Sequence, residues 1–237
     1  MWYNKCMKLK IDLHVHTNHS QCALIKPEEI EQTALKRGLH GVAITDHNTI
    51  DGAREVLSYA KTIKVIIAEE IKTSHGEIIG YFLQERIPPL LSPVETIREI
   101  KKQGGVVSIP HPFDRLRSSR IQRDALEEII DKVDMIEIFN ARDIIIDKDE
   151  HLIEKAVSNN AVKVVGSDAH LKNEVGRAYM IMDDFSSPQE FLNNLAAAQT
   201  VSRRSPVWVH LVTKFSKLLR SKQPGSKSPA LGDGQKP

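Results

Sequence analysis

Histidine and carboxylate residues cluster directly after short apolar segments of this 237-residue sequence. The first group is Asp12-Leu-His14-Val-His16, in which polar residues occupy every second position at the end of an apolar run. In a β-strand, that spacing places the three side chains on one face. Buried polar groups are costly unless something binds them, and a divalent metal ion is a suitable partner for two imidazoles. The pattern therefore indicates a metal site, although a His-x-His pair alone is weak evidence.

Four further groups of ligand-type residues follow apolar segments in the same way. They are Asp46 and His47 after Gly-Val-Ala-Ile-Thr, Glu70 after Val-Ile-Ile-Ala-Glu, His111 after Val-Val-Ser-Ile-Pro, and Asp168 and His170 after Val-Val-Gly-Ser. In parallel α/β barrels the active site lies at the carboxyl ends of the strands, so these groups are expected to share one rim. Five imidazoles and at least two carboxylates at one rim would suit two or three divalent ions.

Short runs rich in Val and Ile alternate with helical patterns along most of the chain. The predicted strands cover residues 9–15, 41–45, 64–68, 77–83, 106–109, 135–139, 162–166 and 178–182. The predicted helices cover residues 27–37, 52–61, 93–103, 123–131, 148–159 and 188–198. Such alternation is typical of βα units in a parallel sheet. Seven or eight units in about 200 residues favour an α/β barrel over an open sheet.

The conjunction of these motifs resembles the PHP family, named for polymerase and histidinol phosphatase domains. The matching stretches are Asp-Leu-His-Val-His-Thr, Ile-Thr-Asp-His-Asn-Thr, Glu-Glu-Ile-Lys-Thr, Ile-Pro-His-Pro-Phe-Asp-Arg and Gly-Ser-Asp-Ala-His, in family order between residues 9 and 182. The resemblance implies a distorted, TIM-like (β/α)7 barrel, hydrolysis of phosphate esters, and two or three manganese, zinc or iron ions as cofactors. The metal-ligand positions that it implies are His14, His16, His47, Glu70, His111, Asp168 and His170.

Two departures from the family pattern leave the number of metal ions open. Family members often carry an Asp or another His shortly after the first His-x-His, whereas this chain reads Asn-His19-Ser-Gln-Cys22. His19 and Cys22 are the candidate replacements. A second family ligand, often His, aligns with Glu77, whose carboxylate can also bind a metal. Asp12 and Asp46 are expected to orient the imidazoles rather than to act as catalytic bases.

The ligand set indicates phosphoryl chemistry by a metal-activated hydroxide. Two cations held close together can provide a hydroxide at neutral pH and neutralise charge on a phosphoryl group. A substrate phosphate also needs cationic side chains, and the Arg guanidinium suits it best. Arg115, Arg142 and Arg177 lie in or next to predicted strand-end loops and are the candidate substrate contacts. Arg117, in the same loop as Arg115, is more typical of a surface charge.

Charge is divided unevenly along the chain. Residues 201–237 hold eight Lys or Arg and one Asp, a net charge of +7, so that the remaining 200 residues carry −5 of the overall +2. A mildly acidic body is a poor nonspecific binder of polyanions, so nucleic acid is expected only as a short substrate. A hydrophobic content of 41% predicts a globular protein. With no apolar run of about 20 residues, no secretory segment and only two Cys, the sequence favours a soluble cytoplasmic protein.

The predicted domain organisation is a phosphoesterase domain over residues 1–205, a helix over 206–220 and a disordered basic tail over 221–237. Apolar residues recur at helical spacing from Trp208 to Leu219. This stripe favours a terminal helix packed on the body, with a membrane-surface or partner-binding helix as the alternative. The oligomeric state is left open.

The function predicted from the sequence is metal-dependent hydrolysis of a small phosphomonoester, a nucleotide or a short oligonucleotide. The alternative is a non-catalytic metal-binding or regulatory domain in which the missing Asp has left the second metal site incomplete. A basic C-terminal adaptor for nucleic acid or membranes is a third, weaker hypothesis.

Overall fold

The structure, a computed structural model, describes residues 8–221 and has the α/β architecture expected from the sequence. The strands are β1 (Leu9–Val15), β2 (Gly41–Ile44), β3 (Lys64–Thr73), β4 (Gly76–Tyr81), β5 (Val106–Ile109), β6 (Met135–Asn140), β7 (Val162–Gly166), β8 (Ala178–Met182) and β9 (Gln199–Ser202). The helices are α1 (Pro27–Lys36), α2 (Asp51–Tyr59), α3 (Pro93–Lys102), α4 (Arg123–Ile129), α5 (Glu150–Ser158), α6 (Pro188–Ala196) and α7 (Trp208–Ser221). The prediction of a disordered tail concerns residues that, apart from Ser221, lie outside the described range.

Three helices begin where the sequence has a proline. Pro27, Pro93 and Pro188 open α1, α3 and α6, at positions where a missing backbone N–H costs nothing. Ser92 caps α3, because its hydroxyl accepts the Glu95 N–H at 3.3 Å while the Glu95 carboxylate accepts the Ser92 N–H at 3.0 Å. This reciprocal pair satisfies two donors of the helix end. The three predicted helix starts are confirmed.

The strands form one sheet that curves into a nearly closed barrel. Their order is β7-β6-β5-β4-β3-β2-β1-β8-β9, with parallel pairing in β1–β2–β3 and in β5–β6–β7. The chain after β7 returns to β1, where the His16 N–H donates to the Ala169 carbonyl at 2.9 Å and the Ala169 N–H to the His14 carbonyl at 3.2 Å. This contact brings the segment after the edge strand β7 against β1, which lies between β2 and β8 in the sheet, at the rim that carries the histidines. The predicted α/β barrel is confirmed.

The barrel departs from a uniform series of βα units at β4. β3 continues to Thr73, beyond its predicted end at residue 68, and pairs antiparallel with β4. Only Ser74 and His75 separate the two strands, a connection that permits a hairpin but not a parallel crossover. Glu70 therefore lies inside a strand, opposite Ile79, rather than past a strand end. β8 and β9 are antiparallel additions beside β1, and the largely exposed β9 has no apolar run that would predict it.

Three apolar clusters hold the strands in place. One draws residues from β1 to β8 and from α6, including Leu13, Tyr81 and Phe191. A second lies between α3, α4 and α5 and the strands β3 to β6, and a third joins α1 and α2 to β1 and β2. Close packing on both sides of the sheet fixes the strand ends, and with them the polar side chains at the rim.

The C-terminal helix α7 packs on the barrel through a different face from the one expected. The apolar stripe would cover the body in the simplest interpretation, but Leu211, Phe215 and Leu218 are more than half exposed. Val209 and Thr213 are buried instead. The helix is therefore present near the predicted position, but its apolar stripe faces away from the barrel. Within residues 8–221, no helix has the length and apolar content needed to cross a bilayer.

Candidate metal centre

The ligand-type residues converge where the parallel strands end. Within the described residues, four overlapping groups place their ligand atoms within 4.8 Å of one another. The groups are His14 with His16 and Glu70, His14 with His111 and Asp168, His47 with Glu70 and Glu77, and His16 with His47 and His170. The seven ligand positions implied by the sequence, together with Glu77, thus lie in one continuous cluster.

Two carboxylates face the first pair of imidazoles. The Nε2 atoms of His14 and His16 are 3.2 Å apart. Glu70 Oε2 lies 3.6 Å from the first and 3.4 Å from the second, and Asp168 Oδ1 lies 3.5 Å and 3.2 Å from them. Four nitrogen and oxygen atoms therefore surround one small volume, and this donor set suits a divalent transition metal.

Glu70 also belongs to the neighbouring group. Its Oε2 lies 3.1 Å from His47 Nδ1, and its Oε1 lies 2.8 Å from His111 Nε2. Glu77 reaches the same place from the start of β4, with Oε1 3.7 Å from His47 Nδ1 and Oε2 3.7 Å from His111 Nε2. A carboxylate shared by two groups is suited to bridge two cations.

Several polar atoms of the cluster have no partner within the described part of the chain. Glu70 Oε2, Glu77 Oε2, His111 Nδ1 and Asp168 Oδ1 are buried and make no hydrogen bond there. Leaving such atoms unpaired costs free energy that a bound cation would offset. Burial and the neighbouring Glu70 carboxylate raise the pKa of Glu77, which indicates uncompensated negative charge. The residues therefore fit divalent metal ions.

Two carboxylates of the cluster are held in the ionised form that metals require. Burial opposes ionisation of Asp168, but the charges of Arg117 and His14 hold its pKa well below the usual range. Burial also opposes ionisation of Glu70, and there His47 and His14 keep the pKa well below its ordinary value. Both side chains can therefore bind a cation without first losing a proton.

Two imidazoles of the cluster favour the neutral form. Burial lowers the pKa of His16. Burial and then the positive charge of Arg142 lower the pKa of His170 well below its ordinary value. A neutral imidazole is the form that binds metals.

Glu137, on β6, is a central residue that the sequence analysis missed. Its Oε1 lies 3.2 Å from His14 Nδ1, while its Oε2 accepts the His111 backbone N–H at 2.7 Å and the Asn140 side-chain N–H at 3.0 Å. It therefore fixes one imidazole ring and the backbone of a second candidate ligand. The signal was available, because an acid in the middle of Met-Ile-Glu-Ile-Phe is the kind of polar residue in an apolar strand that drew attention to Asp12.

Asp12 and Asp46 support the centre differently from the expectation that they orient imidazoles directly. Asp12 accepts backbone N–H groups of His14 at 3.3 Å, of Ser167 at 3.1 Å and of Gly176 at 2.8 Å, so it ties β1 to the loop after β7.

Asp46 is linked to the imidazoles through the hydroxyl group of Ser20. It accepts the Ser20 hydroxyl at 2.6 Å, and the Ser20 oxygen lies 3.4 Å from His16 Nδ1 and accepts the His47 N–H at 3.0 Å. Ser20, which the sequence analysis did not single out, thus links Asp46 to two imidazole-bearing residues.

The two candidate replacements for the missing Asp occupy different places. His19 turns toward α2, with Nε2 2.7 Å from Glu55 Oε2, and belongs to none of the four groups. Cys22 is half-buried and contacts His47 through a hydrogen bond. Both residues line the opening that contains His47 and Glu77, but of the two only Cys22 contacts a candidate ligand within the described residues.

The three arginines selected as substrate contacts are placed differently from one another. Arg115 is 63% exposed and lies 3.5 Å from Asp147. Arg177 donates to the backbone carbonyls of Asn173 and Arg204. Within the described residues, neither guanidinium makes a hydrogen bond or an ion pair with the cluster.

Arg142 is buried and lines a cavity together with His170. Its guanidinium donates to Glu174 Oε2 at 3.2 Å and to Thr213 Oγ1 at 2.8 Å. Of the three selected arginines, it is the one that lies beside a candidate ligand.

The sequence interpretation of Arg117 as a surface charge is wrong. Only 19% of its side chain is exposed, and its Nη1 donates to Asp168 Oδ2 at 2.7 Å. Asp114 and Asp143 lie 4.0 Å from the same guanidinium. Arg117 therefore holds one oxygen of Asp168 and leaves the other, Oδ1, directed at His14 and His16.

Comparisons with known proteins identify the family of the chain. A family model described as the PHP domain matches residues 12–180. The uncharacterized protein MJ0417 of Methanocaldococcus jannaschii is 36% identical in an alignment of 197 residues that covers 79% of each chain. The uncharacterized protein MJ1587 of the same organism is 42% identical in an alignment of 146 residues that covers 56% of this chain and 82% of its own. The chain belongs to the PHP domain family.

A solved structure shares the fold. It is a two-domain protein from Bacteroides vulgatus, described as containing a predicted PHP-like metal-dependent phosphoesterase, with a TM-score of 0.67 and 17% identity. The match covers 84% of this chain and 66% of that one. At this identity the likeness concerns the fold alone.

Proposed function

We propose that this protein is a metal-dependent phosphoesterase that hydrolyses a small phosphomonoester, a nucleotide or a short oligonucleotide. The observation that carries the proposal is the grouping of Glu70, Glu77, His111 and Asp168 with the imidazoles of the same rim, where each has a buried polar atom that makes no hydrogen bond within the described residues. Most buried polar groups of a folded protein are hydrogen-bonded, so several exceptions at one place favour a bound ion as their partner. Membership of the PHP family supports the reaction class.

The proposed metal ligands are those implied by the sequence, with Glu77 added and Cys22 as a further candidate beside His47. They would hold two or three divalent ions, of manganese, zinc or iron, with Glu70 between two of them. Bound there, the ions would supply a nucleophile at neutral pH and neutralise charge on the phosphoryl group.

Other side chains of the protein would position the metal ligands and contact the substrate. Arg117 keeps Asp168 ionised and correctly turned. Glu137 holds His14 and the backbone of His111. Arg142, beside His170, is the proposed phosphate contact. Arg115 and Arg177 remain predictions as substrate contacts, and the cytoplasmic location remains a prediction as well.

The proposal is tested by metal content and by ester hydrolysis. The purified protein is reconstituted with manganese, zinc or iron and assayed on p-nitrophenyl phosphate and on its bis-ester, beside the variants His14→Ala and Asp168→Ala. We expect two or three equivalents of metal in the wild type and loss of turnover in both variants. Comparison of the two esters separates a monoesterase from a diesterase.

The opposite result would favour a different function. One equivalent of metal, with no turnover of either ester or of nucleotides, would leave the non-catalytic metal-binding domain as the better description. Deletion of residues 205–237 distinguishes the third hypothesis, because a basic adaptor would lose its function on that deletion but not in His14→Ala.

A further inference from the structure

A basic cavity lies beside the metal centre, between the loop after β5, the loop after β6 and α7. We call it the α7 recess. Its volume is about 390 Å³, and the residues that matter here are Arg117, Ser118, Arg142, His170, His210 and Lys214. His210 and Lys214 come from α7, which lies outside the stretch matched by the family model.

Positive charge dominates the lining of the recess. Arg117, Arg142 and Lys214 are cationic, and Asp114 is the acidic residue among those that line it. Asp114 is engaged with the backbone, since its oxygens accept the N–H groups of Leu116 at 3.0 Å and of Ile144 at 3.4 Å. Arg117 and Arg142 are paired with Asp168 and Glu174, so an anion entering the recess would be held chiefly by Lys214, together with the remaining N–H donors of the two guanidinium groups.

Hydrogen bonds hold the α7 side of the recess in place. Thr213, three residues after His210 and directly before Lys214 on α7, accepts a hydrogen bond from Arg142 at 2.8 Å. Arg142 is anchored in turn on Glu174, whose Oε2 also accepts the His170 N–H at 3.1 Å. Burial and the charges of Arg142 and Arg117 lower the pKa of His210, which places this imidazole in the field of both guanidinium groups. The helix therefore presents preorganised groups to a ligand.

The recess lies where it could contact part of a substrate bound at the metal centre. His170 is the one member of the ligand cluster that lines it, while His47 and Glu77 line a neighbouring opening. Cys22 and Ser118 line both. The recess thus lies beside the metal centre rather than over it. A substrate whose phosphoryl group reached the metals could extend its other end toward α7.

We infer that the α7 recess binds a second anionic group of the substrate, a carboxylate or a phosphate on the leaving group, and that His210 and Lys214 are specificity-determining residues. The inference rests on the proposed function. It narrows the substrate class to phosphoesters that carry a further negative charge.

Matched substrates test the inference kinetically. Phosphate release is measured for phenyl phosphate, 4-carboxyphenyl phosphate and hydroquinone bisphosphate with the wild type, Lys214→Glu and His210→Gln. The two anionic substrates should have lower KM values than phenyl phosphate in the wild type. Because charge-assisted contacts would be lost, Lys214→Glu should reduce that KM advantage about tenfold. Lys155→Glu, the same charge change at an exposed position of α5, should leave the ratio of KM values as it is.

A binding measurement separates this inference from the proposed function. Metal-free protein is titrated with inorganic pyrophosphate by calorimetry, and binding weakened about fivefold or more by Lys214→Glu but not by Lys155→Glu supports the recess even if no ester is hydrolysed. Hydrolysis of phenyl phosphate with a KM ratio that Lys214→Glu does not change would overturn the inference and leave the phosphoesterase intact. Absence of both hydrolysis and pyrophosphate binding would overturn both.

Discussion

The carboxylate of Glu137 contacts two candidate ligands from one position on β6. It lies 3.2 Å from the His14 ring and 2.7 Å from the His111 backbone nitrogen. Replacement by Gln preserves its size but removes the charge, so we expect Glu137→Gln to lower metal affinity by about 10–100-fold, the usual effect of losing a ligand's supporting carboxylate. Metal titration against a competing chelator measures the change.

The matched control for this substitution is Glu128→Gln, at an exposed position of α4. The control should bind metal as the wild type does. Equal metal affinity in Glu137→Gln and Glu128→Gln would contradict a supporting role for Glu137.

Gly166 is required by close packing against the same carboxylate. A Cβ atom at this position would lie 2.3 Å from Glu137 Oε1 and 2.6 Å from His14 Cβ. Because both neighbours are part of the candidate site, Gly166→Ala should destabilise the fold by about 1–3 kcal/mol and weaken metal binding as well. Urea denaturation and metal titration measure the two effects.

Gly38→Ala is the control that separates a loss of fold stability from a loss of metal binding. Gly38 has a φ of +69° and no atom within 4 Å of an added Cβ, so alanine there costs about 1–2 kcal/mol of backbone strain without touching the centre. Metal binding weakened equally in both variants would mean that Gly166 acts only through global stability.

At the scale of single residues, the candidate metal ligands were easier to predict than the contacts that individual side chains make. The five histidines were identifiable because each lies near or just past the end of an apolar strand, and strand ends meet at one rim. Arg117 could not be identified, because several arginines share its loop and the loop conformation decides which one turns inward. That conformation depends on long-range partners such as Asp168, 51 positions further along the chain.

At the scale of the elements, the hairpin between β3 and β4 explains how an acid from an antiparallel strand joins a parallel rim. The sequence pattern predicts both strands, but it places Glu70 after the end of β3. Continuation of β3 to Thr73 depends on its pairing with β4, in which Lys72 lies opposite Glu77. Strand pairing is a tertiary interaction that local apolar runs do not encode, so the position of a strand end remains the uncertain part of such a prediction.

The buried hydrogen bond between Arg142 and Thr213 is one contact that attaches α7 to the barrel, and it can be tested directly. Thr213 accepts from Arg142, a buried guanidinium. Thr213→Val keeps the shape but leaves that donor unpaired, so the free energy of unfolding should fall by about 1–3 kcal/mol. Thr213→Ser retains the hydroxyl and should retain most of the stability. Equal losses in the two variants by urea denaturation would mean that the methyl packing, not the hydrogen bond, attaches the helix.

At the scale of the whole molecule, net negative and net positive charge lie in different parts of the chain. The body of 200 residues is net acidic, and residues 201–237 carry +7. α7 brings part of that basic segment, including Lys214, next to a rim that holds the buried acids Glu70, Glu77 and Asp168. The acids of the rim are nevertheless too closely grouped for side-chain cations alone, since several of their oxygens have no partner within the described residues.

Metal removal should therefore destabilise the entire barrel. The candidate ligands come from β1, β3, β4 and the loops after β2, β5 and β7, so bound ions would link segments that are distant in sequence. At a free metal concentration 100 times the dissociation constant, one site contributes about 2.7 kcal/mol to the free energy of unfolding. For a chain of this size, that corresponds to a rise of about 5–10 °C in Tm. Calorimetry before and after chelation measures it, and Asp168→Ala should reduce the shift. A full shift in that variant would mean that the stabilising ion binds elsewhere.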